Sequence, residues 1–88
     1  MSWKVEIKPS AEKQYRKLDK KTSIRVLDAL RELEGTQNPL QHRGMRPLTG
    51  ELKGDWRLRV GELRVLITAQ EESKTLMVYA ILPRGSAC

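Results

Sequence analysis

The sequence predicts an α+β fold in which a helical hairpin packs on one face of a small, mostly antiparallel sheet, in the order β-α-α-β-β-β. Three observations predict it: alternating apolar and polar residues near the N-terminus, helical spacing of apolar residues between positions 10 and 34, and three strand-like segments after position 55. The 88 residues suffice for one domain, 1–88, and are too few for two.

The first strand and the first helix are predicted over residues 3–18. Apolar residues at positions 3, 5 and 7 alternate with Lys4 and Glu6, which is the period of a half-buried strand, and Pro9 ends it. Ser10 is the predicted N-cap of the helix. Its apolar stripe is narrow and consists of Ala11, Tyr15 and Leu18.

A second helix follows almost at once, so the two helices form an αα-hairpin. Asp19 can cap this helix, and Gly35 is placed to end it. Its predicted buried face is formed by Ile24, Leu27, Leu30 and Leu33, and is widened by Val26 and Ala29.

A long connection, 36–54, is rich in Pro and Gly and carries the basic residues Arg43, Arg46 and Lys53. Three strands complete the fold, over residues 56–60, 63–68 and 75–82. Gly61 and Glu62 form the turn between the first two, with Gly at the first central position of a type II′ turn. A polar turn at 71–74 precedes the last segment, which is nearly all apolar and therefore typical of an interior strand.

The two-residue turn fixes the register of the hairpin. It places Arg59 opposite Arg64, with Arg57 on the same face. The other face, which the helices should cover, carries Trp56, Leu58, Val60, Leu63, Val65 and Ile67.

Like charges in opposite positions destabilise a sheet, so sheet stability does not explain the position of these arginines. Any one of them alone is more often a solvated surface residue. Three on one face, in a chain of formal net charge +6, favour an anion site, because guanidinium groups match phosphate and stay charged. Arg84, just after Pro83, is a fourth candidate, since the last strand should end near the level of Arg64.

The composition narrows the functional classes. Lys and Arg are spread from Lys4 to Arg84, which favours a folded basic surface and an anionic partner. One cysteine, Cys88, allows no internal disulfide, and one histidine, His42, leaves no ligand spacing for a metal. There is no signal-peptide h-region and no apolar run of bilayer length, so we expect a cytoplasmic protein without a membrane partner.

The aromatic residues and the histidine are predicted to lie in the core or on the surface and not to take part in catalysis. We expect Tyr15, Trp3 and Trp56 in the core. Core packing with the hydroxyl at an edge is also the favoured interpretation of Tyr79, and a place beside the arginines is the less favoured one. His42 is expected to be solvated on the surface.

Together these segments resemble the RelE/ParE toxin superfamily, and more closely its RelE-type ribonuclease branch. The resemblance covers essentially the whole chain. Its most specific segment is PLTGELKGDWRLRVGELRVLI at residues 47–67, and the ending LPRG at 82–85 is similar to that of archaeal-type RelE toxins.

The resemblance implies an endoribonuclease without metal or cofactor that cuts messenger RNA in the ribosomal A site. The 2′-hydroxyl of the RNA attacks the adjacent phosphate and leaves a 2′,3′-cyclic phosphate. Arg64 and Arg84 would stabilise the phosphate in the transition state. Arg59 would complete the catalytic group and Arg57 would contact the RNA, with one of the two near the reacting hydroxyl. Weaker contacts with the backbone of ribosomal or messenger RNA would come from Arg43, Arg46 and Lys53.

Many active members carry a tyrosine shortly after the last arginine, whereas none follows Arg84 here and Cys88 lies near its place. We therefore expect weakened cleavage, and three activities stay open: the endoribonuclease, a ParE-like inhibitor of DNA gyrase, and a catalytically weakened relative that acts only with its antitoxin. All three imply a cognate antitoxin that covers the basic face, with operator DNA bound only through that antitoxin.

Overall fold

The computed structural model describes residues 3–48 and 54–83. Its elements are β1 (Lys4–Ile7), α1 (Pro9–Arg16), α2 (Lys20–Gly35), β2 (Met45–Pro47), β3 (Asp55–Val60), β4 (Leu63–Gln70) and β5 (Thr75–Pro83), with a 3-10 turn at Pro39–Gln41. The predicted α+β architecture is confirmed. Among the described helices, none is long and apolar enough to cross a bilayer.

The strands form one sheet in the order β1-β5-β4-β3-β2. β1 runs parallel to β5, and the other neighbours are antiparallel. The predicted hairpin register is confirmed, with Arg59 opposite Arg64. Gly61 has φ 56° and Glu62 does not have a positive φ, as a type II′ turn requires.

β2 lies within the connection 36–54, where no strand was predicted. Met45 lies opposite Leu58 and is 2% exposed, so it belongs to the core. Pro47 is tolerated because β2 is an edge strand, where a missing N–H is not needed on the outer side. Residues 49–53 of the connection, Lys53 among them, lie outside the described residues, as do residues 84–88 with Arg84 and Cys88.

The helix ends differ slightly from the prediction. α1 has Lys8 as N-cap and Pro9 in its first turn, because the fixed φ of proline suits that position. The predicted cap, Ser10, instead donates its hydroxyl to the backbone oxygen of Tyr79. Asp19 is the N-cap residue of α2, as predicted, whereas Gly35 is the last helical residue and Thr36 is the C-cap.

The core lies between the helices and one face of the sheet. α2 buries Val26, Leu30 and Leu33, while Ile24 and Leu27 are 48% and 36% exposed, so the predicted stripe was wrong at these two positions. The buried set keeps the helical spacing but is rotated around the axis. The strand residues of the core include Leu58, Val60, Leu63, Val65, Ile67, Leu76, Val78 and Ile81, and Trp3 and Trp56 pack with them as predicted.

Candidate nucleic-acid interface

The sheet face away from the core, here called the outer face, carries a cluster of arginines. In β3, Leu58 and Val60 are buried, so alternation directs Arg57 and Arg59 to the outer face. Arg64 reaches the same face from β4 because its neighbours Leu63 and Val65 are buried. The edge strand adds a fourth member, and the arginine cluster consists of Arg46, Arg57, Arg59 and Arg64.

Two arginine pairs lie directly across from each other. The Arg59–Arg64 pair follows from the hairpin register, and the Arg46–Arg57 pair exists because β2 joins the sheet. Cross-strand pairs are worth roughly 0.2–1 kcal/mol, and like charges have the destabilising sign. Two such pairs on adjoining strands form a local concentration of positive charge that the fold alone does not favour.

Within the described residues, no carboxylate neutralises this cluster by a direct ion pair. The ion pairs there join Lys4 to Glu6, Arg16 to Glu12, and His42 to Glu32. Arg46 instead donates to the backbone oxygens of Arg43, at 3.2 Å, and Met45, at 3.0 Å. The Nε of Arg57 is buried and finds no acceptor in this part of the chain.

Two adjoining depressions surround these side chains. The larger, of about 570 Å³, is lined by His42, Arg43, Gly44, Arg46, Arg57, Arg59 and Gly61. The smaller, of about 140 Å³, is lined by Arg57, Arg59, Gly61, Glu62, Leu63 and Arg64. Because Arg57, Arg59 and Gly61 line both, the depressions form one continuous basic surface. Its open shape suits a phosphate chain better than an enclosed small molecule.

His42 is not the solvated surface residue that the sequence predicted. Its side chain is 18% exposed, and its Nε2 lies 2.9 Å from Glu32 Oε1. The N–H of Gly44 donates to its Nδ1 at 3.0 Å, so the neutral ring carries its hydrogen on Nε2 and donates it to Glu32. This hydrogen bond, the positive charge that the ring carries when it is protonated, and the nearby charge of Arg43 lower the pKa of Glu32. Both ring nitrogens are thus occupied, and His42 supports the wall of the larger depression.

Tyr79 also departs from the prediction, because it lies on the outer face and not in the core. Its hydroxyl donates to Asp55 Oδ2 at 2.8 Å, and the Thr68 hydroxyl donates to Asp55 Oδ1 at 3.2 Å. Partial burial, the hydrogen bond to Asp55 and the charge of that carboxylate raise the pKa of Tyr79 to about 12. The phenol therefore stays protonated at neutral pH.

The structure brings five of the seven predicted site residues to one surface: Arg43, Arg46, Arg57, Arg59 and Arg64. Lys53 and Arg84 lie outside the described residues. The roles assigned to all seven remain predictions. Sequence reasoning missed His42 as a member of this region and gave a place beside the arginines only as the less favoured interpretation of Tyr79. A lone histidine in a loop and a tyrosine in an apolar strand carry no distinguishing pattern.

The chain matches a known family of proteins over nearly its whole length. A family model described as the ParE toxin of the type II toxin–antitoxin system parDE matches residues 5–87. Among curated protein sequences, none matches the chain at a significant level.

Several solved structures are similar to the chain over nearly its whole length. The RelBE2 toxin–antitoxin complex from Mycobacterium tuberculosis matches with a TM-score of 0.82 and 22% identity, over 96% of this chain and 100% of that chain. An archaeal RelE–RelB complex from Pyrococcus horikoshii matches with 0.76 and 26% identity, over 98% and 99%. A YoeB/ParE toxin from Agrobacterium tumefaciens matches with 0.75 and 22% identity, over 92% and 98%. The shared feature at these identities is the fold.

Proposed function

The chain belongs to the ParE toxin family of type II toxin–antitoxin systems, within the RelE/ParE superfamily, and we propose that it is a ribosome-dependent endoribonuclease that cleaves messenger RNA in the A site. One observation carries the proposal: two cross-strand arginine pairs adjoin on the outer face without a carboxylate partner among the described residues. Such an arrangement costs stability in the free protein and gains from a bound phosphate chain.

The proposed reaction is an intramolecular transphosphorylation. The 2′-oxygen of the RNA bonds to the adjacent phosphorus, the bond from phosphorus to the 5′-oxygen breaks, and the products are a 2′,3′-cyclic phosphate and a 5′-hydroxyl. Arg59 and Arg64 would hold the phosphate in the smaller depression and neutralise the charge that develops on its oxygens. Guanidinium groups stay protonated, so the 2′-hydroxyl proton passes to water or hydroxide, and the 5′-oxygen takes a proton from water.

The remaining basic residues would position the RNA. Arg57 lines both depressions, and Arg43 and Arg46 line the larger one, so they are placed for neighbouring phosphates of messenger or ribosomal RNA. Lys53 and Arg84 keep their proposed roles, as an RNA contact and a catalytic group. The activity needs neither a metal nor a cofactor, and it would take place in the cytoplasm.

We also propose that a cognate antitoxin covers the arginine cluster when the toxin is inactive, and that operator DNA is bound only through this antitoxin. The similar structures include a RelBE2 toxin–antitoxin complex from M. tuberculosis and a RelE–RelB complex from P. horikoshii, which supports an antitoxin partner. An uncovered cluster of arginines would otherwise bind cellular RNA without specificity.

A second candidate function, inhibition of DNA gyrase, is favoured by the family model itself, which is that of ParE. The two activities share the fold, so the choice depends on the site. A gyrase inhibitor needs a protein-binding surface, whereas the outer face offers an open basic surface on which two cross-strand arginine pairs adjoin.

Primer extension on messenger RNA during cell-free translation tests the proposal. We expect cleavage within codons by the unaltered chain, and its loss, by at least 100-fold, in Arg64→Ala, as for removal of a charge-stabilising group. Arg31→Ala, which removes an exposed arginine of α2, is the matched control and should cleave normally. Undisturbed translation together with inhibited gyrase supercoiling would favour the second function.

A further inference from the structure

A β-bulge in β5 determines where Tyr79 lies. Leu66 pairs with Ala80 and Ile67 pairs with Val78, so Tyr79 is an extra residue between two consecutive pairs. Val78 and Ile81 are both buried although they are three positions apart, which regular alternation does not allow. The bulge thus turns Tyr79 to the outer face together with Ala80.

Side chains of α1 hold the bulge from the other side. The Ser10 hydroxyl donates to the backbone oxygen of Tyr79 at 3.1 Å, and the N–H of Ile81 donates to Gln14 Oε1 at 2.7 Å. β1 pairs with β5 only as far as Val78, so these two contacts satisfy backbone groups that the short edge strand leaves open. The bulge is therefore stabilised by specific contacts with α1.

The Tyr79 side chain crosses the sheet surface. Its hydroxyl reaches Asp55 on β3, although β4 lies between β5 and β3. Thr68, directly opposite Asp55, donates to the same carboxylate, so the acceptor is held from two sides. The Tyr79 side chain is only partly buried, so part of this ring, which is held at both ends over a strand, is accessible to a ligand.

The ring lies beside the arginine cluster. Asp55 precedes Arg57 by two residues on the same face of β3, which is about 7 Å along a strand, and precedes Arg59 by about 13 Å. A phosphate held at Arg57 and Arg59 therefore has the phenol at a distance that one nucleotide of an extended single strand covers. Single-stranded RNA is recognised by aromatic rings that stack on unpaired bases, often on the open face of a sheet.

We propose that Tyr79 is the stacking platform for the nucleobase next to the phosphate bound by the arginine cluster, and that Asp55 and Thr68 orient its ring. This assignment rests on the proposed function in so far as RNA is the ligand. With a pKa raised to about 12, the phenol stays protonated at neutral pH. Its part is binding and orientation of the RNA, and Tyr79 leaves proton transfer to other groups.

The test is a binding titration with an RNA that cannot be cleaved. The probe is a fluorescein-labelled, fully 2′-O-methylated octanucleotide of mixed sequence, compared with versions that carry one abasic position each. For the unaltered chain at low salt, we expect one abasic position to weaken binding by roughly 5- to 100-fold, the range for one stacked base. The variant Tyr79→Leu should bind the complete octanucleotide as weakly as the unaltered chain binds that abasic version. In this variant, removing the base at that position should cause no further loss of affinity, which is the abasic penalty.

Two further variants separate stacking from a structural role. Tyr79→Phe keeps the ring and should retain most of the abasic penalty, whereas Tyr15→Leu removes the other tyrosine, on α1, and should leave the penalty unchanged. Circular dichroism and urea unfolding confirm that each variant is folded. A penalty that persists in Tyr79→Leu, a penalty lost in Tyr79→Phe, or an unaltered chain insensitive to every abasic position would overturn the assignment.

The assay is independent of cleavage. Absence of codon-specific cuts in cell-free translation would count against the proposed function while an abasic penalty carried by Tyr79 still stood. Conversely, cleavage without a penalty would remove only the stacking role. Failure of the unaltered chain to bind the octanucleotide at low salt would overturn the stacking platform itself.

Discussion

At the scale of single residues, the arginine cluster shows a conflict between stability and binding. Arg57 is the clearest case, because it faces Arg46 across the strands and its Nε is buried without an acceptor in the described residues. An unsatisfied buried donor costs about 1–3 kcal/mol. A sequence selected only for stability would replace this residue, which supports the view that it serves a ligand.

Replacing Arg57 with methionine should therefore stabilise the protein. Arg57→Met keeps an unbranched stem and removes the buried donor and one like-charge pair, so we expect the free energy of unfolding to rise by about 1–2 kcal/mol. Urea unfolding measures it, and the gain should shrink at high salt because screening weakens the charge repulsion. Arg31→Met, at an exposed helical position, should change stability by less than about 0.5 kcal/mol. A less stable Arg57→Met would show that the guanidinium is satisfied in solution.

The Tyr79 phenol should titrate near pH 12, against a usual value of 10.0. A pKa raised by folding means that the protonated phenol stabilises the fold. This contribution is complete below pH 10 and is lost as the pH rises through 12. The ultraviolet absorbance of phenolate, as the difference between the unaltered chain and Tyr79→Phe, measures the titration. Asp55→Asn removes the charge that opposes ionisation and should lower the midpoint, whereas a midpoint near 10.0 in the unaltered chain would contradict the Asp55 contact.

At the scale of elements, the turn between β3 and β4 controls the arginine register. Gly61 has φ 56°, a region that costs a residue with a side chain about 1–2 kcal/mol. Among the described residues, a methyl group there would meet only Arg25 Nη1, at 3.8 Å. We therefore expect Gly61→Ala to lower the free energy of unfolding by about 1 kcal/mol, and the cost comes from the backbone.

Gly35 is a glycine at which alanine should have the opposite effect on the free energy of unfolding. It ends α2, its φ is not positive, and no atom of residues 3–48 or 54–83 lies within 4 Å of the place that an alanine Cβ would occupy. Gly35→Ala should therefore raise the free energy of unfolding by roughly 0.5–1 kcal/mol. If both alanine variants changed stability in the same direction, the type II′ turn would not be the reason for Gly61.

Elements with a strict local rule could be predicted from the sequence, and those without one could not. The hairpin followed from a two-residue turn, which allows a single register. β2 has three residues, too few to show a period, and only its pairing with β3 makes it a strand. The bulge at Tyr79 adds one residue within an apolar run. In such a run, a shift between inward and outward positions cannot be recognised from the sequence. The rotation of α2, which exposes Ile24 and Leu27, depends on packing against the sheet.

At the scale of the whole molecule, the sequence predicts the sign of the charge but only part of its placement. The three hairpin arginines could be assigned to one face because the register was known. Arg46 and Arg43 join them through β2 and the turn before it, which only the folded chain shows. The formal net charge of +6 is therefore a weaker guide to the ligand than the local pairing of arginines on adjoining strands.

The salt dependence of RNA binding distinguishes an effect of the net charge of the molecule from an effect of the arginine cluster. For single strands, the logarithm of the affinity falls with the logarithm of salt concentration with a slope of about 0.7 per neutralised phosphate. Arg59→Ala removes a charge from both depressions and should reduce that slope by about 0.7. Arg31→Ala removes the same formal charge from the helical layer and should leave the slope unchanged, provided that the outer face is the RNA surface. Titrations of the uncleavable octanucleotide at several salt concentrations give both slopes. Equal reductions of the slope in the two variants would mean that RNA binding depends on the net charge of the molecule. The arginine cluster would then not be the specific RNA-binding surface.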